Sequence, residues 1–195
     1  MKNIIKFAGV VAVALALTQT VRAVPINGNI GFAGTVTYNT ASAGTATQVT
    51  GWINPTVFAD TGTFATPSPF AVSVGTTATF TSSAWNFVTS TPINNFWSVG
   101  GYTFQLLSSY IVAQAGTPGI NGFVVVNGTG IVSGNGYTPT VMSWSFTSQD
   151  PKAGVNPDQW TFSASANSVP DGGATVMLLG LALSGVALLK KKLTA

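Results

Sequence analysis

The sequence predicts an all-β protein, an antiparallel β-sandwich of jelly-roll type over residues 24–168, with one helix before it and one after it. Three observations lead to this fold class. Apolar and small polar side chains alternate with a period of two, turn signals recur at short intervals, and residues 24–168 contain no stretch with a sustained helical period. Many short strands separated by frequent turns are typical of sandwiches, and a β-solenoid is the alternative.

The first 23 residues have the order of a secretory signal peptide. Lys2 and Lys6 precede an apolar run over residues 7–17. A short polar stretch comes next and is followed by Val21-Arg22-Ala23. The run is shorter than the roughly 20 residues that a membrane-spanning helix needs. We therefore expect export by the secretion machinery and cleavage by signal peptidase after Ala23; the alternative is an uncleaved N-terminal anchor.

The body of the protein, residues 24–168, is predicted to fold into strands. Met142, Trp144 and Phe146 alternate with small polar residues, and so do Trp160 and Phe162. The chain holds 5 Trp, 4 Tyr and 12 Phe, nearly all of them in the body, and disordered segments are poor in aromatic residues. The predicted strands end at turn signals such as Asn54-Pro55, Gly100-Gly101, Gly134-Asn135-Gly136 and Asp150-Pro151.

Composition excludes several classes of function. The chain has no His, no Cys and no Glu, which removes disulfides, zinc sites of the usual ligand types and imidazole bases. The body holds one cation, Lys152, with Asp60, Asp150 and Asp158, and this is too little positive charge for nucleic-acid binding. We expect no enzyme, no metal and no cofactor. Asp150 and Asp158 are interpreted as turn residues, the alternative being a Ca²⁺ loop between them.

The polar face of the predicted strands consists mainly of Thr and Ser, which hydrate a surface without charging it. Such a surface suits a protein embedded in polysaccharide or packed against copies of itself. Most of the Trp residues are expected in the core, because Trp144 and Trp160 share the parity of Phe146 and Phe162. Trp97, beside Gly100-Gly101, is the candidate for stacking on a sugar ring.

The C-terminal 27 residues have the features of a second targeting segment. Val169-Pro170-Asp171-Gly172-Gly173 is followed by an uncharged stretch from Ala174 to Leu189 and then by Lys190-Lys191-Lys192. A helix of that stretch is about 24 Å long, slightly less than the roughly 30 Å hydrocarbon core, and snorkelling lysines make up the difference. The lysines are expected on the cytoplasmic side as a stop-transfer signal, so the body faces outward.

This order of motif, helix and basic cluster resembles the sorting signals of the PEP-CTERM class, and its VPDSG-CTERM variant most of all, with Gly172 where that variant has Ser. The resemblance implies that a membrane-embedded exosortase recognises Pro170 to Gly173, removes the helix and delivers the body to the cell surface or extracellular matrix. The alternative is a tail anchor that is never cut. The function expected is structural or adhesive, and the alternative is a carbohydrate-binding module of the exopolysaccharide matrix.

Overall fold

The computed structural model of the chain describes residues 24–65, 71–89, 92–118, 120–151, 160–168 and 179. Its strands are β1 (Asn29–Tyr38), β2 (Gln48–Asp60), β3 (Thr79–Phe80), β4 (Trp85–Asn86), β5 (Ile93–Val99), β6 (Tyr102–Ala115), β7 (Phe123–Gly134), β8 (Tyr137–Gln149) and β9 (Trp160–Ser168). The predicted signal peptide and, apart from Leu179, the predicted C-terminal helix lie outside these residues. Among the described residues, no helix has the length and apolar character to cross a membrane.

The prediction of an all-β, antiparallel fold is confirmed, but the two-sheet sandwich is wrong. The nine described strands form one sheet in the order β3-β5-β6-β7-β8-β9-β1-β2-β4. β9 pairs with β8 on one side and with β1 on the other, in both cases antiparallel. This pairing joins the hairpin of β1 and β2 to the meander of β5 to β9. The strands therefore form one sheet, whereas a sandwich has two separate sheets. The antiparallel neighbours also exclude a β-solenoid for the described body.

The sheet curls into a half-barrel, and the chain before β3 brings its two ends together. Residues 75–78 run beside β2, where the Val57 amide donates to the Thr76 carbonyl at 2.9 Å and the Ala78 amide donates to the Pro55 carbonyl at 2.9 Å. The same stretch leads directly into β3, which pairs with β5. One continuous interior therefore lies inside the curl.

Aromatic rings from strands far apart in the sequence fill this interior. The Phe32 ring of β1 lies 5.4 Å from Phe80 of β3, 5.0 Å from Trp97 of β5 and 6.5 Å from Trp144 of β8, measured between ring centroids. Each such pair contributes about 0.5–1.5 kcal/mol beyond the area that it buries. The predicted alternation is confirmed in β8, where Met142, Trp144 and Phe146 are buried.

One predicted turn is instead part of a strand. Asn54-Pro55 lies inside β2, which continues to Asp60. Asn54 has a left-handed φ of 47°, and the β1–β2 register shifts beside it. Asn tolerates this conformation better than most residues, so the strand bends and the pairing resumes. The turns at Gly100-Gly101 and at Gly134-Asn135-Gly136 are confirmed, with positive φ at all five residues.

Candidate functional sites

Trp97, the predicted sugar-stacking residue, lies in the core. It is 0% exposed, and its indole stacks on Phe104 with the ring centroids 5.2 Å apart and the planes 9° from parallel. Strict alternation would place the neighbouring Phe96 and Trp97 on opposite faces, yet both are buried. Asn95 before them has φ 50°, and the β5–β6 register is irregular there. The expectation of a glycan platform at Trp97 is therefore wrong, because no sugar ring reaches it.

The other described Trp side chains also belong to the core, as predicted. Trp85 and Trp144 are buried, and Trp52 is partly buried with its ring stacked on Phe80 at 4.2 Å. The side chain of Trp160 lies outside the described part. The buried indoles of Trp85 and Trp144 are therefore not accessible for stacking on a ligand.

Asp150 is a buried brace between two loops. Its Oδ2 accepts hydrogen bonds from the Ser42 hydroxyl at 2.7 Å and from the Gly122 amide at 3.2 Å, and its Oδ1 accepts one from the Ala43 amide at 2.7 Å. Its own amide donates to the Gly122 carbonyl at 2.7 Å. The carboxylate thus ties the β1–β2 loop to the β6–β7 loop. No sequence signal indicated that Ser42 and Gly122 are its partners.

Of the remaining ionisable candidates, the described residues include Asp60. Asp60 lies half-buried at the end of β2, and Lys152 and Asp158 lie outside the described residues. Within the described ranges there is no group of three or more residues of metal-ligating type. Both Asp150 oxygens already accept hydrogen bonds from N–H and O–H groups, so the structure offers the loop no free carboxylate at that position.

The outer face of the curled sheet carries many hydroxyl and amide groups, some of them in cross-strand rows, among exposed apolar side chains such as Phe58, Tyr110 and Val141. The Ser108 and Thr129 hydroxyls lie 2.9 Å apart, and the Thr147 hydroxyl donates to the Ser163 carbonyl at 3.3 Å. Of the described residues only Asp60 and Asp150 are ionisable to a charge at neutral pH, and Asp150 is buried. The described outer face is therefore close to neutral.

One shallow groove crosses this face on β7, β8 and β9, with a volume of about 420 Å³. The register sets Phe123, Gln149 and Thr161 in one row and Val125, Thr147 and Ser163 in the next. We call this the outer groove. The Phe123 ring is 38% exposed, and the Asp150 brace holds it in place because Phe123 follows Gly122 and Gln149 precedes Asp150. An exposed ring beside amide and hydroxyl groups can contact a neutral, hydroxylated ligand.

The end of β9 is fixed to the start of the body. The Ser168 amide donates to the Gly28 carbonyl at 3.0 Å. The Ser168 hydroxyl accepts from the Gly28 amide at 3.1 Å and donates to the Asn27 side-chain oxygen at 2.9 Å. We call these contacts the terminal clamp. The predicted sorting motif, Val169 to Gly173, follows without a linker and lies outside the described residues, as do Lys190 to Lys192.

The family model of the VPDSG-CTERM motif matches residues 168–193, which include the predicted motif and the lysine cluster despite Gly172. The resemblance seen in the sequence is confirmed: the chain carries the signal of an exported, membrane-anchored precursor that an exosortase processes. No curated protein and no solved structure matches the chain. The curled-sheet body is thus attached to a sorting signal whose first matched residue, Ser168, is still part of the sheet.

Proposed function

We propose that this exosortase-sorted chain delivers its body to the cell surface or extracellular matrix, where the body acts as a structural or adhesive unit without catalysis. The observation that supports this role best is the hydroxyl-rich and nearly neutral outer face of the half-barrel over the described residues. Hydroxyl and amide rows exchange hydrogen bonds with water and with sugar hydroxyls on similar terms. A surface of this kind stays hydrated in a polysaccharide gel without depending on ionic strength.

The absence of catalysis is supported by the composition of the body and by the hydrogen bonds that its polar side chains already make. The sequence has no imidazole, thiol or Glu, and Asp150 is engaged in the brace between two loops. A Ser or Thr nucleophile would need a base, and the rows of outer hydroxyls are bonded to each other and to backbone carbonyls.

Fractionation and intact mass measurement of the native protein test the proposal. We expect the body in the matrix fraction, beginning at Val24 and ending near Pro170, and we expect high salt to leave it there because few charges are available for ionic attachment. A variant that lacks residues 169–195 keeps the same outer face, so it should never be found as a membrane-anchored precursor but should still bind the matrix. Full-length chain recovered from membranes of cells with an active exosortase would contradict the processing, and release by salt would contradict the neutral attachment.

Carbohydrate binding in the outer groove is the second candidate, favoured by the exposed Phe123 ring beside Gln149 and Thr147. Phe123→Ala should weaken binding to a neutral exopolysaccharide from the cells that produce this protein. The expected loss is roughly two- to tenfold, which corresponds to one aromatic contact of about 0.5–1.5 kcal/mol. Phe58→Ala is the matched control, because that ring is 48% exposed on β2, outside the groove. Equal loss in both variants, or no binding by the unmodified protein, would exclude this site.

A further inference from the structure

The N-terminus and the C-terminus of the folded body lie at the same end of the half-barrel. The terminal clamp joins Ser168 to Asn27 and Gly28, only a few residues after Val24. The Val24 carbonyl in turn accepts a hydrogen bond from the Thr138 amide at 3.0 Å. We call this the terminal end, formed by residues 24–28, 61–63, 134–138 and Ser168. Apart from the α-amino group that signal-peptide cleavage leaves on Val24, the terminal end carries no charge.

The chain outside the body limits how far the terminal end can be from a membrane. Five residues, 169–173, separate Ser168 from the apolar stretch that begins at Ala174. Even a fully extended chain at roughly 3.3–3.6 Å per residue spans only about 20 Å over that segment. The polar headgroup layer occupies about 5–8 Å on each side of the hydrocarbon core. The terminal end is therefore within reach of the headgroups for as long as the C-terminal helix remains attached.

The surface of the terminal end fits a lipid headgroup layer. The Val24 side chain is 64% exposed there, and the partly exposed Tyr137 ring stacks on Tyr102 at 6.3 Å. Asn27 and Thr61 add uncharged polar groups around a shallow depression between them. Tyr and small polar groups without charge are well suited to the interface between water and hydrocarbon.

We propose that in the membrane-anchored precursor the terminal end lies against the outer lipid headgroups, and that exosortase cleavage exposes it. The opposite end of the body stays in water. Along β6 the Tyr102 hydroxyl donates to the Thr63 carbonyl at the terminal end, while the Gln114 amide donates to the Ala43 carbonyl at the other. About twelve residues of strand separate them, roughly 40 Å. This orientation depends on the sorting signal and is independent of the role proposed for the mature body.

The chain contains no Cys, so single-cysteine variants report one position each. Thr138→Cys places a thiol on the exposed surface of the terminal end, and Ala41→Cys, its matched control, places one on an exposed position of the opposite end. In precursor purified with its helix intact and reconstituted in phosphatidylcholine–phosphatidylglycerol vesicles, we expect a water-soluble maleimide to label the Thr138→Cys variant several-fold more slowly than in the cleaved protein. The Ala41→Cys variant should be labelled equally fast in both forms.

Two further measurements identify what covers the terminal end. Spin-labelled lipids should quench a fluorophore at position 138 and leave one at position 41 unchanged, because the vesicles contain no other protein. A Gly-Ser spacer of about 20 residues after Ser168 lengthens the tether by roughly 25 Å and should restore fast labelling at position 138. Equal labelling at both positions in vesicles, or slow labelling that persists with the spacer, would overturn the proposal.

Discussion

Removal of the Asp150 carboxylate should destabilise the body more than removal of the Asp60 carboxylate, the other charged side chain among the described residues. Asp150→Ala leaves the buried Ser42 hydroxyl and the amides of Ala43 and Gly122 without their acceptor. A buried donor without a partner costs about 1–3 kcal/mol, and the three share one site, so we expect a loss of about 3–5 kcal/mol in the free energy of unfolding. Asp150→Asn keeps one acceptor oxygen and should lose about 2 kcal/mol.

Urea unfolding of the mature protein, followed by tryptophan fluorescence, measures both values. With an m-value of about 1–3 kcal/mol per molar, the Ala variant should unfold at a urea concentration roughly 2 M lower than the unmodified protein. Asp60→Ala is the control, since Asp60 is only half-buried and a surface substitution changes stability by less than about 0.5 kcal/mol. A loss below about 1 kcal/mol in Asp150→Ala would show that water replaces the carboxylate at low cost, and would refute the buried brace.

Four further substitutions test the packing of the core, all by urea unfolding. Trp97→Phe should change stability by no more than about 1 kcal/mol, because the lost volume is offset by removal of an indole N–H that has no acceptor among the described residues. Trp85→Phe should cost about 2 kcal/mol, since its indole N–H donates to a buried serine hydroxyl at 3.3 Å; equal losses would show that the bonding of the indole is irrelevant. Burial raises the pKa of the Tyr38 hydroxyl, so stability should fall as the pH rises above about 10, where an unfolded tyrosine ionises, by up to about 1.4 kcal/mol per pH unit. Tyr38→Phe should reduce that slope, and an unchanged slope would assign it to other groups. Gly130→Ala drives a methyl group into the Phe104 ring and against the Gln105 carbonyl oxygen, and should cost about 1–3 kcal/mol; a neutral effect would mean that both the ring and the strand backbone move aside freely.

The sequence predicts the strands well where neighbouring strands pair in regular register. In β8 the alternation of Met142, Trp144 and Phe146 with small polar residues corresponds directly to an inner and an outer face, and the structure follows it. The turn at Gly134-Asn135-Gly136 is equally local, because positive φ angles select Gly and Asn. In both cases the sequence pattern that predicts the structure lies within a few residues along the chain.

Long-range pairing and bulges could not be predicted, because a period of two does not say which strands become neighbours. Phe32 of β1 pairs with Ala164 of β9, although most of the sequence of the body lies between them. The pairing of these two strands produces one curled sheet instead of the expected sandwich. The same limit applies to Trp97: a single residue, Asn95, in a left-handed conformation resets the alternation and moves an expected surface ring into the core. The candidate site changed accordingly, from an indole that is buried to the Phe123 ring of the outer groove.

The curl of the sheet also explains how a body with so few charges avoids exposed edges. Charged gatekeepers usually protect edge strands from pairing with other chains, and the sequence supplies almost none. In the structure the two edge strands, β3 and β4, are only two residues long each, and the chain before β3 bonds to β2. Short edges give another chain little backbone to pair with. The short edges therefore favour the proposed attachment through the outer face over strand addition at an edge.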